Sequence, residues 1–223
     1  MSYILNIDTA VVSASVCLAY KDEPLHFLIN HSQKDSASWL HIAIGSVIKD
    51  AGITFRDLDA IAISSGPGSY TGLRVGMSAA KGLSYALNKP LIAINTLKMM
   101  AQAALNEPTD LLCPLIDARR VEVFTAIYDK SLNEIWPPAN IILNENTFSE
   151  ILGLKTVTFF GNGSEKLRTY VNNVNAHIKT IETTAKHLTG LSFRDFQERK
   201  FSDLAYSEPF YGKDFYLQNS KPS

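Results

Sequence analysis

An internal repeat constrains the fold of this chain more than any other feature of its sequence. Residues Ile7–Tyr20 align with Ile116–Tyr128, at an offset of 109 residues at the first position and 108 at the last. Each copy has an apolar strand, an aspartate at its end, a short turn and a second strand ending in tyrosine. A duplication predicts two related lobes facing each other across a cleft, with Asp8 and Asp117 on its rim. A chance match between two strand pairs is the alternative.

The rest of the chain alternates short apolar strands with helical stretches, which predicts an α/β architecture with mixed sheets. The polar linker 106–110, Asn-Glu-Pro-Thr-Asp, predicts a boundary between an N-terminal lobe, 1–105, and a smaller C-terminal lobe, 106–223. Helices are predicted at five places: Ser36–Ala51, Thr71–Leu87, after Thr96, after Gly161–Ser164, and about Thr183–Lys200.

Charge and cysteine content exclude several classes of protein. Twenty-one Lys and Arg side chains against 22 Asp and Glu side chains give a net charge of −1, without the concentrated positive face that independent binding of nucleic acid needs. Cys17 and Cys113 form no CxxC motif, which argues against a disulfide scaffold or a zinc site. The N-terminal stretch lacks the basic region of a signal peptide, and no segment approaches the ~18 apolar residues of a membrane span. We therefore expect a soluble, cytoplasmic protein without membrane contact.

Two strand-end aspartates are the sharpest candidates for chemistry. Carboxylates at strand ends that face a cleft suit a hydrated Mg²⁺ held against phosphates. The alternative is that each aspartate caps its hairpin turn, which this residue does well. The predicted nucleotide cleft comprises Asp8, Thr9, Ser13, Gly66, Gly68, Asp117, Gly161 and Gly163.

Glycine clusters between a strand and a helix are the second candidate feature. SSGPGSYTGLRVG, Ser64–Gly76, would present backbone N–H groups and a helix N-terminus to an anion. It matches neither GxxxxGK[ST] nor GxGxxG, and it has no lysine at the Walker position. The alternative is a tight loop with Ser69 or Thr71 as the N-cap. Gly161–Ser164 has the same arrangement of glycines between a strand and a helix. It is interpreted either as the border of a nucleotide base or ribose or as a loop in which Ser164 is the N-cap.

No catalytic constellation is found in the sequence. The five histidines form no HExxH or HxxxH pair, so a ligand set for metal-dependent hydrolysis is missing. There is no GxSxG motif, and neither cysteine lies in a recognisable nucleophile setting. Arg119-Arg120 is interpreted as a solvated turn, with a phosphate clamp as the alternative. We therefore predict no catalytic residue and no metal site.

Two helices are unusually poor in charge. Ser36–Ile48 contains no Asp, Glu, Lys or Arg, and Val75–Leu87 contains only Lys81. A helix on a sheet normally shows one apolar stripe and a charged outer face, so these helices are expected to bind a second protein, with Gly45, Gly76, Ala80 and Ser84 allowing close approach. The isolated chain is expected to form a homodimer through the same surface. The predicted interface residues are Leu40, Ile44, Val47, Leu73, Met77, Ala80 and Ser84.

Four blocks covering nearly the whole chain resemble the TsaB family, also called YeaZ. They read ILNIDTAVVSASVCLAY, SSGPGSYTGLRVGMSAAKGLSYAL, PLIDARRVEVFTAIY and FFGNGSEKL. The resemblance implies an actin/Hsp70-like (ASKHA) fold of two duplicated ribonuclease-H-like lobes. It also implies a non-catalytic scaffold that binds a TsaD-type catalytic subunit, joined by a TsaE-type ATPase, for threonylcarbamoylation of the adenosine next to the tRNA anticodon. Contact with tRNA is expected only through that complex.

The resemblance also bears on cofactors and on competing functions. The chain is expected to require no cofactor, with at most weak binding of ATP or ADP with Mg²⁺, and the histidine metal ligands of TsaD are absent. The family's C-terminal Pro-x-Tyr-Leu-Arg segment is replaced by EPFYGKDFYLQ. The main alternative is an M22-type glycoprotein or peptide hydrolase, against which the missing nucleophile weighs. A sugar or acid kinase on the same fold is a third hypothesis, against which the short second lobe weighs.

Overall fold

The computed structural model describes residues 2–32 and 36–212, which form two mixed sheets of five strands each. The first sheet contains β1 (Tyr3–Asp8), β2 (Ala14–Tyr20), β3 (Glu23–Asn30), β4 (Ala60–Ser64) and β5 (Leu91–Ile94). The second contains β6 (Leu111–Asp117), β7 (Glu122–Tyr128), β8 (Glu134–Ile142), β9 (Val157–Phe160) and β10 (Ala176–Lys179). The helices are α1 (Ser36–Asp50), α2 (Tyr70–Leu87), α3 (Thr96–Ala103), α4 (Ser149–Leu152), α5 (Ser164–Leu167) and α6 (Thr189–Gln197).

The two sheets share one topology. The first has the strand order β3-β2-β1-β4-β5 and the second the order β8-β7-β6-β9-β10. In each sheet the first three strands pair antiparallel, and the last two continue in parallel from the first strand. The repeat seen in the sequence thus corresponds to two lobes of the same α/β design, and the predicted duplication is confirmed.

Helices cover both faces of the first sheet. Leu5 and Ile7 of β1 pack in one cluster with the apolar stripes of α1 and α2. Ile4, whose side chain points to the opposite face of the pleat, packs in another cluster with residues of α3 and α6. Helix α1 ends before Gly52, whose φ of 67° is the left-handed conformation that glycine adopts readily after a helix.

One apolar cluster joins the two lobes. Met99 and Met100 of α3 lie in it with Leu112 of β6 and with Phe124 and Tyr128 of β7. Full burial of a side chain of this size stabilises the fold by roughly 1.5–3 kcal/mol. The lobes therefore share a core as well as a linker.

The C-terminal segment returns from the second lobe to the first. The predicted helix Thr183–Lys200 is instead a 3₁₀ turn followed by α6. The N–H of Ala185 donates to Ser15 Oγ (2.8 Å), and Ser202 forms an antiparallel bridge with Leu91 of β5. The predicted boundary at 105/106 falls between the two sheets, but the predicted lobe 106–223 also supplies this segment to the first sheet.

Two strands were missed by the sequence analysis. Strand β8 lies at the edge of its sheet, and its Pro137 and Pro138 fall at a shift in the register with β7, between the pairs Trp136–Ile127 and Ala139–Thr125. Proline is tolerated at edges and bulges, where its missing N–H breaks no regular ladder. Strand β10, at the other edge, has only four residues. The divergent Phe-Tyr-Leu-Gln at 215–218 lies outside the described residues. Among the helices of the described part, none combines the length and the apolar character needed to cross a bilayer.

Candidate functional site

Asp8 ends β1, and the structure buries it completely. Its Oδ1 accepts hydrogen bonds from Ser64 Oγ (2.5 Å) and from the N–H of Ala10 (3.0 Å). Its Oδ2 has no hydrogen-bond partner among the described residues. Burial raises the pKa of this carboxyl to about 6, although the two hydrogen bonds act in the opposite direction. The predicted position of Asp8 on the rim of the cleft is therefore wrong, because its side chain is sealed under the loop that follows β4.

Asp117 occupies the equivalent position in the second lobe but is exposed. It forms an ion pair with Lys166 Nζ (2.5 Å) and accepts a hydrogen bond from the N–H of Arg119 (2.6 Å). Partial burial raises the pKa of this carboxyl, but the contacts with Lys166 and Arg119 outweigh it and the net pKa is lowered. Its own N–H donates to Asn162 Oδ1 (2.9 Å). The charge of Asp117 is thus already balanced by a lysine of this chain.

The glycine loop after β4 packs against the turn between β1 and β2. A Cβ at Gly68 would overlap the carbonyl oxygen of Ala10, and one at Gly72 would overlap that of Thr9. The N–H of Ser69 donates to the Ala10 carbonyl (2.8 Å), and Ser69 Oγ accepts from the N–H of Gly72 (3.2 Å) as the N-cap of α2. These glycines allow two backbone segments to touch, and these two N–H groups are bound within the chain.

Gly66 has a further constraint. Its φ is 110°, and a Cβ there would overlap the carbonyl oxygen of Phe210. Its N–H donates to Thr96 Oγ1 (2.9 Å), while the N–H of Phe210 donates to the carbonyl of Ser65 (2.8 Å). The C-terminal segment therefore covers the start of the loop that was a candidate for anion binding.

A cavity of about 300 Å³ lies between the lobes. Of the eight residues predicted for a nucleotide cleft, Ser13 and Gly161 line it, whereas the other six do not. Nucleotide binding in this cavity stays a prediction. Its lining consists of Val11, Val12, Ser13, Met100, Gly161, Asn162, Ser164, Glu165, Lys179, Thr180, Ile181, Glu182 and Thr183.

The residues predicted for a partner interface lie in the core of the first lobe. Each is at most 4% exposed: Leu40, Ile44, Val47, Leu73, Met77, Ala80 and Ser84. This part of the prediction is wrong because the bulky apolar stripe of each helix packs on its own sheet, and the small and polar residues face outward. We define the outer helical face as the exposed and half-buried residues on the other side of α1 and α2: Ser38, His41, Ile42, Gly45, Ser46, Thr71, Val75, Ser78, Gly82 and Tyr85.

The outer helical face has two large exposed side chains and two glycines. Ile42 is 70% exposed and Tyr85 81% exposed. Apart from the backbone of its own helix, no heavy atom of the described residues lies within 4 Å of the position that a Cβ would take at Gly45 or Gly82. Gly82 was missed by the sequence analysis, although a glycine inside a helix is itself a signal, since it costs the helix ~0.5–1 kcal/mol relative to alanine.

Groups suited to catalysis are not assembled in the described part of the chain. Within residues 2–32 and 36–212, no three His, Cys, Asp or Glu side chains are grouped so that they could hold a metal ion. Both thiols are buried, and burial raises the pKa of Cys17 and of Cys113 to about 12. These thiols are therefore protonated at neutral pH and unreactive as nucleophiles.

Comparison with solved structures supports the two-lobed fold. A structure described as an uncharacterized protein with similarity to peptidase YEAZ from Pseudomonas aeruginosa matches with a TM-score of 0.85 at 23% identity, over 96% of this chain and 100% of that chain. The inorganic polyphosphate/ATP-glucomannokinase of Arthrobacter sp. strain KM matches with a TM-score of 0.50 at 10% identity, over 89% and 100% of the two chains. The expected actin/Hsp70-like α/β fold is confirmed.

Comparison of sequences gives the family. The family profile described as TsaD, tRNA N6-adenosine threonylcarbamoyltransferase, matches residues 30–207. A transferase of that description from Syntrophobacter fumaroxidans is 44% identical over 73 residues, which are 33% of this chain and 22% of that protein. The tRNA threonylcarbamoyladenosine biosynthesis protein TsaB of Bacillus subtilis is 30% identical over 189 residues, 82% of this chain and 81% of that protein. The chain belongs to the TsaB (YeaZ) family of tRNA threonylcarbamoyladenosine biosynthesis proteins.

Proposed function

We propose that the chain is the scaffold subunit of a tRNA threonylcarbamoyladenosine synthesis complex, and that its outer helical face binds a TsaD-type catalytic subunit. A TsaE-type ATPase joins the complex, and tRNA is contacted only through it. This role places the chain in the cytoplasm. In the absence of its partner the chain forms a homodimer through the same face.

The observation that carries this proposal is the pair of glycines Gly45 and Gly82. Both lie inside helices, where glycine is destabilising relative to alanine. Since an added Cβ would meet no described atom at either position, packing within the chain gives no reason for the glycines. A second helix that approaches the backbone of α1 and α2 would give one, because small residues let helix axes come close together.

The remaining residues of the outer helical face fit a protein partner. Ile42 and Tyr85 are large side chains that are mostly exposed, and tyrosine is enriched in protein interfaces. The segment Ser36–Ile48 contributes no Asp, Glu, Lys or Arg, so docking there would desolvate few charges. A partner burying a standard interface of about 800 Å² on each side would cover this face.

We further propose that the chain is not an enzyme and requires no cofactor. Asp8 is sealed in the core and Asp117 is paired with Lys166, so neither carboxylate is free to hold a Mg²⁺ against phosphates. The cavity between the lobes is lined by Glu165 and Glu182 together with Lys179, so it lacks the concentrated positive charge that favours a phosphate. The protonated, buried thiols also argue against the alternative hydrolase function.

A glycine substitution tests the scaffold role. Gly82→Ala should stabilise the isolated chain by about 0.5–1 kcal/mol, since it removes backbone freedom from the unfolded state. It should also weaken binding to the TsaD-type subunit of the same organism, measured by calorimetry, because the new methyl group separates the helices. Gly190→Ala is the matched control: Gly190 lies in α6, away from the outer helical face, and a Cβ there meets no described atom within 4 Å.

The outcomes of this test are distinct. Weaker binding by Gly82→Ala with unchanged binding by Gly190→Ala supports the proposal. Equal affinity of wild type and Gly82→Ala, or no detectable complex with the wild-type chain, contradicts it. Turnover of ATP or peptide by the isolated chain, abolished by one point substitution, would contradict the non-catalytic role.

A further inference from the structure

Lys81 of α2 binds the C-terminal segment through hydrogen bonds. It is the one charged residue of Val75–Leu87. Its Nζ donates hydrogen bonds to the carbonyl oxygens of Ala205 (3.2 Å) and Ser207 (3.0 Å). The ammonium group therefore holds a turn of the C-terminal segment against α2, on either side of Tyr206.

That turn is fixed from several directions. Asp203 Oδ1 accepts from the N–H of Ala205 (2.8 Å) and of Tyr206 (2.9 Å), and the Asp203 carbonyl accepts from the N–H of Ser207 (2.9 Å). Leu204 packs against the core cluster of the first lobe. Tyr206 nevertheless stays 85% exposed. A large aromatic side chain thus projects into solvent from a backbone that is already ordered.

The segment stays on α2 beyond this turn. Arg74 Nε donates to Tyr211 Oη (3.1 Å), and the Arg74 guanidinium lies 4.0 Å from the centre of the Tyr70 ring. We call residues 203–212 the C-terminal strap. Arg74, Lys81 and Tyr85 follow one side of α2 at helical spacing. Because α1 packs on β2 and β3 while Ser202, next to the strap, pairs with β5 at the opposite edge of the sheet, the strap borders the outer helical face along the edge away from α1.

We propose that the C-terminal strap is a second wall of the partner-binding face, on which Tyr206 contacts the TsaD-type catalytic subunit and Lys81 is the positioning residue that holds it there. This inference rests on the proposed function. A helix seated over the small residues Ser78 and Gly82 would lie between α1 and the strap and would contact both. Tyrosine on an ordered backbone is a typical energetic centre of an interface, since little conformational entropy is lost on binding.

The occupant is the catalytic subunit because the strap extends the face proposed for it. Two transferases of the matching family share segments of 73 and 85 residues with this chain, each at 44% identity. A partner of related α/β fold has helices of comparable size, whereas an extended peptide would not cover a surface formed by two helices. A second copy of the chain is an outcome that the experiment separates.

Four variants of the full chain and one control variant test the inference by their dissociation constants for the purified TsaD-type subunit. Tyr206→Ala should weaken binding by about tenfold or more, as expected for loss of a central aromatic contact. Lys81→Met should weaken it similarly, Lys81→Arg should restore most of the affinity, and the double variant Lys81→Met/Tyr206→Ala should be no weaker than the weaker single variant. Val174→Ala, a substitution of an exposed residue in the second lobe, should bind as wild type.

Separate measurements distinguish a wrong strap inference from a wrong scaffold role. If Gly82→Ala weakens the complex but Tyr206→Ala and Lys81→Met stay within twofold of wild type, the strap inference is overturned and the proposed function stands. Additive effects of Lys81→Met and Tyr206→Ala would overturn the positioning role of Lys81. Weakening of self-association alone, measured by sedimentation, would assign the strap to a homodimer and overturn its assignment to the catalytic subunit. Thermal unfolding of Tyr206→Ala should match wild type.

Discussion

The hydroxyl of Ser64 donates a 2.5 Å hydrogen bond to the carboxylate of Asp8, and this contact joins the ends of two neighbouring parallel strands. The other carboxylate oxygen is buried without a hydrogen-bond partner among the described residues. An ionised carboxylate in such a place is costly. Burial therefore favours the protonated form of Asp8 and raises its pKa to about 6.

Asp8→Asn should change how stability depends on pH. The pKa of Asp8 is about 6 in the folded chain against an ordinary 3.8, so folding favours the protonated form and the wild type loses stability as pH rises from about 4 to about 6. The difference in unfolding free energy between variant and wild type should grow by roughly 3 kcal/mol across that window and then stay constant. Urea unfolding at several pH values measures it.

Asp129→Asn provides the control for this prediction. Hydrogen bonds from Asn133 and Ser131 lower the pKa of Asp129, so its ionised form is favoured by folding and the variant should lose stability, relative to wild type, as pH rises. A pH-independent difference for Asp8→Asn would show that Asp8 is solvated in the folded chain.

Gly76→Ala should destabilise the chain. A Cβ at Gly76 would overlap Thr9 Oγ1 and lie 3.0 Å from Ile63 Cδ1, and Thr9 is held in place by a 2.7 Å hydrogen bond to the Gly72 carbonyl. Overpacking of this kind costs about 1–3 kcal/mol. Thermal unfolding of Gly76→Ala and of Gly82→Ala, which lie in the same helix, separates the packing effect from the effect of helix propensity. A gain in stability for both variants would disprove the tight packing around Gly76.

Ala80→Glu should prevent folding instead of only breaking an interface. Ala80 is fully buried in the core of the first lobe, and an unpaired carboxylate there would cost a large part of the 5–15 kcal/mol that stabilises a typical domain. Ser78→Glu, on the outer helical face, should fold normally and lose partner binding. Circular dichroism and pull-down distinguish the two; a well-folded Ala80→Glu chain would refute the core placement.

Ser192→Ala should loosen the returning C-terminal segment. Ser192 Oγ donates to Asn6 Oδ1 (2.7 Å) in a buried contact between α6 and β1. Its removal leaves a buried amide oxygen unpaired, at a cost of about 1–3 kcal/mol. The exposed Ser149→Ala should change the unfolding free energy by less than about 0.5 kcal/mol. Equal urea midpoints for the two variants would count against a structural role for this bond.

The duplicated architecture was predictable because each copy of the repeat has a strong local signal. The alternation of apolar residues in Ala14–Tyr20 and the apolar run of Leu111–Asp117 identify strands without any tertiary information. Strand β8 was hidden because Pro137 and Pro138 read locally as a break. Its position at the sheet edge and the irregular pairing with β7 at this point, which are both tertiary properties, make those prolines acceptable.

The candidate site was predictable in part. Absence of charge predicted a partner surface on α1 and α2, but composition alone does not say which side of a helix meets the sheet. Leu40 and Met77 were assigned outward and lie inward, because the larger apolar side chains gain more from burial. The depth of Asp8 was also beyond sequence reasoning, since it depends on the glycine loop closing over the end of β1.

The return of the C-terminal segment to the first sheet has a consequence for synthesis on the ribosome. Strand β5 ends at Ile94, and the segment that covers this sheet begins at Ala185. At roughly 5–20 residues per second, the delay between them is on the order of 5–20 s. During that time the face that carries Ile4 and Ile92 lacks part of its cover and is accessible to a chaperone. The first lobe to be translated is the last to be completed.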